Sequence, residues 1–316
     1  MPCATPLSAA TKSHGQTVFS SMAVRIATDG RQSSLHVALP VLSGPTTECL
    51  LGEAEQIAGE EGFVLLSRKD FLAGFSLAQP GLDLEAAAAD LYRRLFAVCR
   101  GRHLYRIWNY VPHINAVEHG LENYRHFCRG RSLAFEKHFG RGFKQLLPAA
   151  SAVGSAIGPL ALSFLAGPVE PKHFENPRQV PAFEYPPQYG PRAPSFARAT
   201  VITHQSVRQI LISGTAAIIG HESVAAGDLD RQLDCTLENM RLIGANAGTG
   251  NALGAGQGWT RSFKAYIRHA ADLPLITARL NRDLLQPGDQ VHYLQADICR
   301  TDLLVEIEAV LRSQAG

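Results

Sequence analysis

The chain has 316 residues, of which 46% are hydrophobic and 18% are charged. This composition is typical of globular proteins, and the length suffices for one large or two ordinary domains. The formal net charge is only +2 and the basic residues form no dense run, which argues against nucleic acid as a partner. A local basic cluster at Arg125, Arg129 and Arg131 suits a small polyanion instead.

The cysteines and the apolar segments indicate the compartment. The six cysteines form no C-x-x-C pair and none lies at zinc-ligand spacing with histidine, so no metal site is predicted. Residues 1–22 lack the apolar core of a secretory signal, and no later segment is long and apolar enough to span a membrane. We therefore expect a cytoplasmic protein with reduced thiols, no membrane partner and a flexible tail over residues 1–22.

The predicted first unit, residues 23–167, combines short apolar strands with two longer helical patterns. Residues 49–61 are expected to be loop or weak helix. Asp83 is expected to cap the first helix. In chain order the elements are strands at 24–27, 35–42, 62–67 and 71–78, a helix at 84–98, a strand at 104–111, a helix at 120–139, and strands near 151–155 and 160–167.

Residues 168–198 are rich in proline and aromatic residues. Their eight prolines exclude long regular elements. Phe183, Tyr185 and Tyr189 are more typical of a folded segment than of a disordered linker. We predict an ordered connector that packs on both halves of the chain and forms one wall of a pocket.

Residues 199–316 repeat the order of elements of the first unit. A G-x-G pattern in the loop 247–258 follows a helix, whereas a dinucleotide fingerprint follows a strand, so no dinucleotide site is predicted. The repeat indicates an internal duplication that places Ser163 near the counterpart of Glu306. In order the elements are a strand at 209–213, its partner within 214–219, a helix at 229–245 capped by Asp228, a strand at 263–268, a helix at 273–285, and two paired strands between 291 and 310.

The last of these strands carries two carboxylates. Side chains alternate along a strand, so Glu306 and Glu308 share one face while Val305 and Ile307 share the other. This pattern alone leaves two interpretations open. The face is solvated, or it lines a cleft where burial raises the pKa of one glutamate so that it can donate a proton.

The second half resembles one unit of the Rid/YjgF family of small α/β proteins. The resemblance rests on Ile212-Ser-Gly-Thr215, residues 230–242 and Leu304-Val-Glu-Ile-Glu-Ala309. It implies chorismate-mutase-like α+β units whose helices pack on mixed sheets. Imine-deaminating members of that family have an arginine near the position of Val291, so the resemblance does not extend to imine hydrolysis.

A second resemblance, to the chorismatase family, covers almost the whole chain. It rests on Tyr105-Arg-Ile-Trp-Asn-Tyr-Val-Pro-His-Ile-Asn115 and on the strings at 120–131, 185–198 and 296–306. It implies an α/β protein of two fused Rid/YjgF-like units, residues 23–167 and 199–316, with one active cleft between them. It also implies an enzyme without cofactor or metal that cleaves chorismate to pyruvate and 3-hydroxybenzoate, with 4-hydroxybenzoate as a further product.

Other functions and assemblies stay open. Hydrolysis within the same family yields pyruvate and a dihydroxycyclohexadiene carboxylate. A Rid-like protein that only binds a small carboxylate is the alternative from another class, and it releases no pyruvate. Two fused units are compatible with a monomer, and the sequence leaves an oligomer open.

The resemblance assigns chemical roles to three residues, and the shared strand face adds a fourth candidate. Glu306 is implied to protonate the methylene carbon of the enolpyruvyl group, and Glu308 on the same face is the alternative acid. Cys299 is implied to assist rearrangement to hydroxybenzoate, although simple packing explains a lone cysteine equally well. Ala216 matches a small pocket position that affects the product.

Chorismate carries two carboxylates, so the site requires cations. Arg131 is the first candidate because a guanidinium can bind a carboxylate through two hydrogen bonds, and a solvated position on a helix is its alternative. Arg279 is the second candidate. The strand residues Lys264, Tyr266 and Arg268 share a face that lines the cleft or is solvated. The remaining candidates for substrate binding lie on the connector and are Tyr185, Tyr189 and Arg192.

Overall fold

The structure is a computed structural model that describes residues 15–29 and 32–313. Short 3-10 turns occur at Phe143–Leu146, Ala182–Glu184, Pro187–Tyr189 and Ala270–Asp272. The first half contains β1 (Gln16–Ser20), β2 (Arg25–Asp29), β3 (Gln32–Ala38), β4 (Val41–Ser43), β5 (Thr47–Cys49), β6 (Glu55–Glu60), β7 (Phe63–Arg68), β8 (Phe71–Leu77), α1 (Leu84–Val98), β9 (His103–Pro112), β10 (Val117–Glu118), β11 (Leu121–Glu122), α2 (Asn123–Phe139), β12 (Ala149–Ser155) and β13 (Ala161–Gly167). The second half contains β14 (Lys172–Phe174), β15 (Ala199–His204), β16 (Val207–Thr215), β17 (Ile218–Ile219), β18 (Glu222–Ser223), α3 (Leu229–Asn246), β19 (Trp259–Ile267), α4 (Leu273–Asp283), β20 (Gln290–Gln295) and β21 (Val305–Ser313).

Two sheets with the same strand order form the framework. The first runs β12-β9-β13-β8-β7-β6 and the second β20-β19-β21-β16-β15-β14, with β4 added beside β20. The pairs β12/β9 and β20/β19 are parallel. Trp108 pairs with Ser163 in the first sheet, as Tyr266 pairs with Glu306 in the second. This confirms the predicted duplication and the correspondence of Ser163 with Glu306.

Helices cover the outer faces of both sheets. The helices α1 and α2 pack on the first sheet around a core that includes Phe127 and Phe164. The helices α3 and α4 pack on the second sheet around Leu237 and Ile307. A third core, which includes Leu211, lies between the sheets and draws residues from both. The predicted α/β class, two units with helices packed on mixed sheets, is confirmed.

Both predicted N-caps are present. The Asp83 side chain accepts a hydrogen bond from the Ala86 amide at 2.8 Å. The Asp228 side chain accepts one from the Arg231 amide at 3.1 Å. Each carboxylate satisfies one amide that the first helical turn leaves without a partner.

Two local predictions are wrong. Residues 49–61 contain the strand β6, which pairs with β7 at the edge of the first sheet. Every residue of β6 is exposed, so the strand lacks the apolar alternation that would reveal it in the sequence. Residues 214–219 do not form the partner of β16, which pairs with β15 and β21, whereas β17 pairs with β18.

The two closing strands, β20 and β21, were predicted to pair with each other, and this is wrong. Both flank β19, which separates them in the sheet. The segment that joins them, residues 296–304, is too long for a two-residue hairpin turn and does not fix their pairing. This crossing segment contributes side chains to the site described below.

The N-terminal region is more ordered than predicted over part of its length. Residues 1–14 lie outside the described residues. The strand β1 belongs to a four-stranded sheet with the order β2-β3-β1-β5, although the sequence predicted a flexible tail through residue 22. Thr17 and Phe19 are buried on one face of β1, which explains why this strand packs. No helix in the described part of the chain is long and apolar enough to cross a membrane.

The connector, residues 168–198, is ordered, as predicted. Phe183 and Phe196 pack against the core beneath α1 and α2, and Phe174 packs against the core beneath α3 and α4. Ala197 forms a bridge to Ala149 of β12. The connector thereby contacts both units.

Candidate active site

A pocket lies between the two units with the connector along one side. The first unit contributes residues of α2 and β12, and the second contributes residues of β16, β21 and the segment 296–304. Six residues predicted from the sequence line this pocket, namely Glu306, Cys299, Arg131, Tyr185, Tyr189 and Ala216.

Glu306 is the acidic residue that faces the pocket from β21. It is 4% exposed, and its carboxyl group makes no hydrogen bond within residues 15–29 and 32–313. Burial, together with the negative charge of Glu308, raises the pKa of Glu306 to about 8 against the opposing effect of Arg106 and Arg198. The side chain is therefore a neutral acid near pH 7, able to give up a proton.

A glycine makes room for this carboxyl group. Gly214 lies in an irregularity of β16, where the pairing with β21 shifts between Ile212 and Thr215. A Cβ atom at Gly214 would lie 2.0 Å from Oε1 of Glu306. Glycine is therefore required here by the close approach of an acid side chain to the strand backbone.

Glu308 shares the face of Glu306 but reaches into the space between the sheets. It accepts hydrogen bonds from Arg106 at 2.7 Å and from the indole of Trp108 at 2.8 Å, and it pairs with Lys264 at 2.8 Å. Burial alone would raise its pKa, but Lys264 and Arg106 lower the pKa of Glu308 to about 2. The face is therefore not solvated, and Glu308 is ionised, which does not suit the alternative role of proton donor.

Cys299 lines the pocket from the segment 296–304. Burial and the neighbouring Glu306 raise the pKa of its thiol to about 12, so it is present as a thiol and not as a thiolate. Arg268 holds this segment in place by donating hydrogen bonds to the carbonyl groups of Leu303 at 2.7 Å and Arg300 at 2.8 Å. Arg268 is thus neither solvated nor part of the pocket wall.

Two buried guanidinium groups give the pocket its positive charge. Arg131 is 1% exposed, stacks on Phe127, and has an Nε atom with no hydrogen-bond partner in the described residues. Arg198 donates to the Tyr185 hydroxyl at 2.7 Å and lies 3.9 Å from Glu175. Arg131 makes no ion pair with a carboxylate in the described part of the chain. Because an unpaired buried cation is costly, its side of the pocket suits an anionic ligand.

Two predicted arginines lie elsewhere. Arg192 forms an ion pair with Glu136 at 2.7 Å on the surface. Arg279 on α4 forms ion pairs with Asp230 at 2.8 Å and Asp283 at 3.0 Å. Neither lines the pocket, because acidic partners distant in sequence or on the same helix occupy their guanidinium groups.

Tyr266 also lies outside the pocket. It is fully buried between the sheets and donates a hydrogen bond to Glu308 at 3.2 Å. Lys264, on the same face of β19, is buried beside Glu308 and Glu48. The face shared by these residues therefore supports the site from behind and does not contact the pocket.

The structure adds pocket residues that the sequence did not single out. Arg300 follows Cys299, stacks on the Tyr189 ring at 4.1 Å and donates to the Ser223 hydroxyl at 3.1 Å. Its position next to Cys299 was a usable signal. Arg198 ends the matching string at 185–198 and was also within reach. Glu122, Tyr124 and Arg125 lie in the matching string at 120–131, and Gly214 lies in Ile212-Ser-Gly-Thr215, but no role in a pocket was predicted for them. Ser151 gave no local signal, because tertiary contacts bring it to the pocket.

Known proteins share this sequence pattern. Residues 48–166 match the family described as "Chorismatase FkbO/Hyg5-like, N-terminal". A chorismatase from Streptomyces rapamycinicus is 35% identical over 268 residues, which are 81% of this chain and 79% of that protein. The chain belongs to the chorismatase family. A 3-hydroxybenzoate synthase from Streptomyces hygroscopicus is 43% identical over 221 residues, and the match spans 66% of this chain and 63% of that protein.

A solved chorismatase has the same fold. Its crystal structure superposes with a TM-score of 0.81 at 28% identity, and the match covers 98% of this chain and 95% of that one. A RidA protein from an Antarctic Psychrobacter matches 37% of this chain at 18% identity with a TM-score of 0.30. The predicted chorismatase family is confirmed by the Streptomyces rapamycinicus relative and by the chorismatase crystal structure.

Proposed function

We propose that this chorismatase converts chorismate to 3-hydroxybenzoate and pyruvate without a cofactor. The observation that carries the proposal is the buried, neutral carboxyl group of Glu306 in a pocket that also holds buried guanidinium groups. One similar protein is named 3-hydroxybenzoate synthase and others are named chorismatase, which supports the same substrate.

The chemistry of chorismate fits these groups. Cleavage of its vinyl ether begins when the methylene carbon takes up a proton, which leaves an oxocarbenium ion. The donor has to stay protonated near neutral pH, and the pKa of Glu306, raised to about 8, meets this requirement. Arg131 and Arg198 are the groups we assign to the two carboxylates, since each presents a planar set of donors.

The two reactions that remained open differ in their atom balance. The hydroxybenzoate and pyruvate together contain the atoms of chorismate, so this route consumes no water overall, whereas hydrolysis adds one. Cys299 presents a protonated thiol beside Glu306, and Ala216 and Phe196 make the wall near it apolar. We assign Cys299 to the rearrangement and Ala216 to the space that the ring occupies.

The site draws on the whole chain. We propose that residues 23–167 and 199–316 are the two units, that residues 168–198 connect them, and that one chain is a complete enzyme, because one chain supplies every wall described above. The chemistry of the thiol also suits a reducing cytoplasm, since oxidation of Cys299 would change the wall next to Glu306.

The test is incubation of purified, metal-free protein with chorismate, followed by chromatography of pyruvate and aromatic products. We expect equal amounts of pyruvate and 3-hydroxybenzoate, and the same trace shows whether 4-hydroxybenzoate accompanies them. The variant Glu306→Gln should lose about 10²- to 10⁴-fold in rate. Glu238→Gln, on the exposed side of α3, is the matched control and should retain activity.

Each outcome has a distinct meaning. A dihydroxycyclohexadiene carboxylate in place of the aromatic product would replace the proposal with hydrolysis. Pyruvate no faster than the spontaneous background, with chorismate still bound in a binding assay, would leave a binding protein. Full activity of Glu306→Gln would remove the proton donor from the mechanism.

A further inference from the structure

The group behind the proton donor is itself fixed and charged. Glu308 follows Glu306 by two positions on the same face of β21, a separation of about 6.6 Å along the strand. That distance is shorter than the screening length of about 8 Å at physiological salt, and both side chains are buried, so solvent screens the charge little. The state of one carboxyl group therefore acts on the other.

Five donors hold the Glu308 carboxylate. They come from three strands of the two facing sheets, β9, β12 and β19, and none belongs to the segment 296–304 or to the connector. The donors are Arg106 at 2.7 Å, Trp108 at 2.8 Å, Lys264 at 2.8 Å, Tyr266 at 3.2 Å and the Ser151 hydroxyl. A carboxylate with this many donors remains ionised and immobile.

The charges behind the pocket balance without Glu306. Arg106 and Lys264 contribute two positive charges, and Glu308 and Glu48 contribute two negative charges, with Lys264 paired to both carboxylates. Ionisation of Glu306 would add a negative charge with no partner from this set. The balance therefore keeps the proton on Glu306.

Other elements also present charged or titratable groups to the pocket. Across from β21 these are a guanidinium at the end of the connector, a thiol in the segment 296–304 and a guanidinium on α2. They are Arg198, Cys299 and Arg131, with Arg125, Arg300, Glu122 and Tyr124 farther along the lining. Only Glu308 combines a permanent negative charge with the same strand face as Glu306.

The same carboxylate also supports the backbone at the acid. The Ser151 hydroxyl donates to Glu308 and accepts a hydrogen bond from the Gly214 amide at 3.0 Å. Gly214 is the residue whose missing side chain leaves room for Glu306. A chain of two hydrogen bonds thus joins Glu308 to the strand irregularity beside the acid.

We infer that Glu308 is a positioning residue for the proposed reaction, which keeps the proton on Glu306 by holding a fixed negative charge behind it and by binding Lys264 and Arg106. This inference rests on the proposed function for its catalytic meaning. Its physical content, the protonation of Glu306, can be measured without any turnover.

The experiment is an infrared titration of the protein in D₂O. The carbonyl band of a protonated carboxyl group is assigned to Glu306 by its loss in Glu306→Gln, and its midpoint is followed with pH. In Glu308→Gln the set behind the pocket gains a net positive charge, so we expect the midpoint to fall by at least one unit. The high-pH limb of the kcat/KM profile should move by the same amount, a loss of about tenfold above the new midpoint that is recovered on acidification.

Two further variants separate charge from packing. Glu308→Gln combined with Lys264→Met restores the charge balance, so the midpoint should return towards the parent value although two buried side chains have changed. Glu48→Gln removes a carboxylate on the far side of Lys264 and should shift the midpoint in the same direction by a smaller amount. If Glu308 acted only through packing, the Glu306 midpoint would lie farther from the parent value in the double variant than in the single variant.

The inference is overturned if the titration midpoint of Glu306 stays the same or rises in Glu308→Gln. It is also overturned if the midpoint in the double variant does not return towards the parent value. If Glu308→Gln fails to fold, the double variant and Glu48→Gln still decide the question, because each carries its own predicted midpoint. The two proposals can also fail separately. If the Glu306 midpoint moves between parent and variants as expected but the parent protein leaves chorismate intact, the proposed function is refuted and the electrostatic inference stands.

Discussion

The two units share one topology but differ at the strand that carries the acid. Cross-strand register places Ser163 of β13 where β21 has Glu306, and Leu165 where β21 has Glu308. The central strands match more closely, since Arg106 of β9 corresponds to Lys264 of β19. Both central strands therefore supply a buried cation, but of the two corresponding strands β13 and β21 only β21 supplies carboxylates.

A second difference lies in the neighbouring strand. In the first unit β8 pairs with β13 in continuous register from Leu72 to Leu77, and the fully buried Phe75 is the residue paired with Ser163. In the second unit the pairing of β16 is interrupted, and Gly214 leaves the corresponding space open to Glu306. The comparison teaches that a duplicated framework becomes a site through one acid and one local irregularity.

We expect the largest loss of activity from Gly214→Ala, which fills the space beside Glu306 in the second unit. The new methyl group would lie 2.0 Å from the Glu306 carboxyl oxygen and force the acid to move. A displacement of about 1 Å costs roughly 100-fold in rate, so we expect at least that loss of kcat. Gly142→Ala is the control, because a Cβ there meets nothing within 4 Å. Wild-type turnover by Gly214→Ala would show that the irregularity is incidental.

The contribution of the first unit is tested by Arg131→Met. Removing a buried guanidinium from the pocket should raise KM about 10- to 100-fold, the effect expected for losing a charged hydrogen bond. Arg279→Met, which removes an arginine engaged in surface ion pairs, should leave KM unchanged. Equal effects of the two substitutions would contradict the assignment of substrate binding to α2.

The two glutamates of β21 should affect stability in opposite ways with pH. The folded pKa of Glu306, raised to about 8, exceeds its ordinary value of 4.5, so the folded chain holds a proton that the unfolded chain releases between these values. Its stabilising contribution is complete below about pH 4.5 and is lost as pH rises through about 8, at about 1.4 kcal/mol per unit. Glu306→Gln has no such loss.

We therefore expect Glu306→Gln to gain in Tm relative to the parent as pH rises from 5 to 8. Thermal unfolding across this range measures the difference. A constant difference would mean that the Glu306 carboxyl group is not held neutral. For Glu308, whose pKa is lowered to about 2, the contribution is present above its ordinary value and is lost on acidification instead.

The smallest effect is expected at the counterpart of the acid. Ser163→Ala removes one hydroxyl from a closed, fully buried position in the first unit. Activity should be unchanged and the free energy of unfolding should change by less than about 1 kcal/mol. A large fall in kcat would show that the first unit takes part in the chemistry after all.

Local patterns in the sequence predicted the local parts of the fold. Helical periodicity and the N-caps Asp83 and Asp228 predicted the helices α1 and α3. Alternation along the last strand predicted that Glu306 and Glu308 share one face. Burial of that face was not predictable, because it depends on the opposing sheet.

Long-range partners account for what the sequence missed. Arg279 and Arg131 both lie on helices, and only the fold shows that Asp230, far away in the chain, binds the first of them. The strand β6 escaped because an exposed edge carries no apolar pattern. The position of β19 between β20 and β21 was not predicted, because no turn sequence specifies which strands pair with each other.

The short strand β4 makes the two halves inseparable. It belongs to the first half of the chain, ahead of the strands of the first six-stranded sheet, yet it pairs with β20 at the edge of the second sheet, through Leu294 with Val41 and Tyr293 with Ser43. Glu48, a few residues later, is bound to Lys264. A fragment containing only residues 199–316 would lack β4 and would expose β20 as an unpaired edge strand, which favours self-association. The two units that arose by duplication can therefore no longer be separated into two functional fragments.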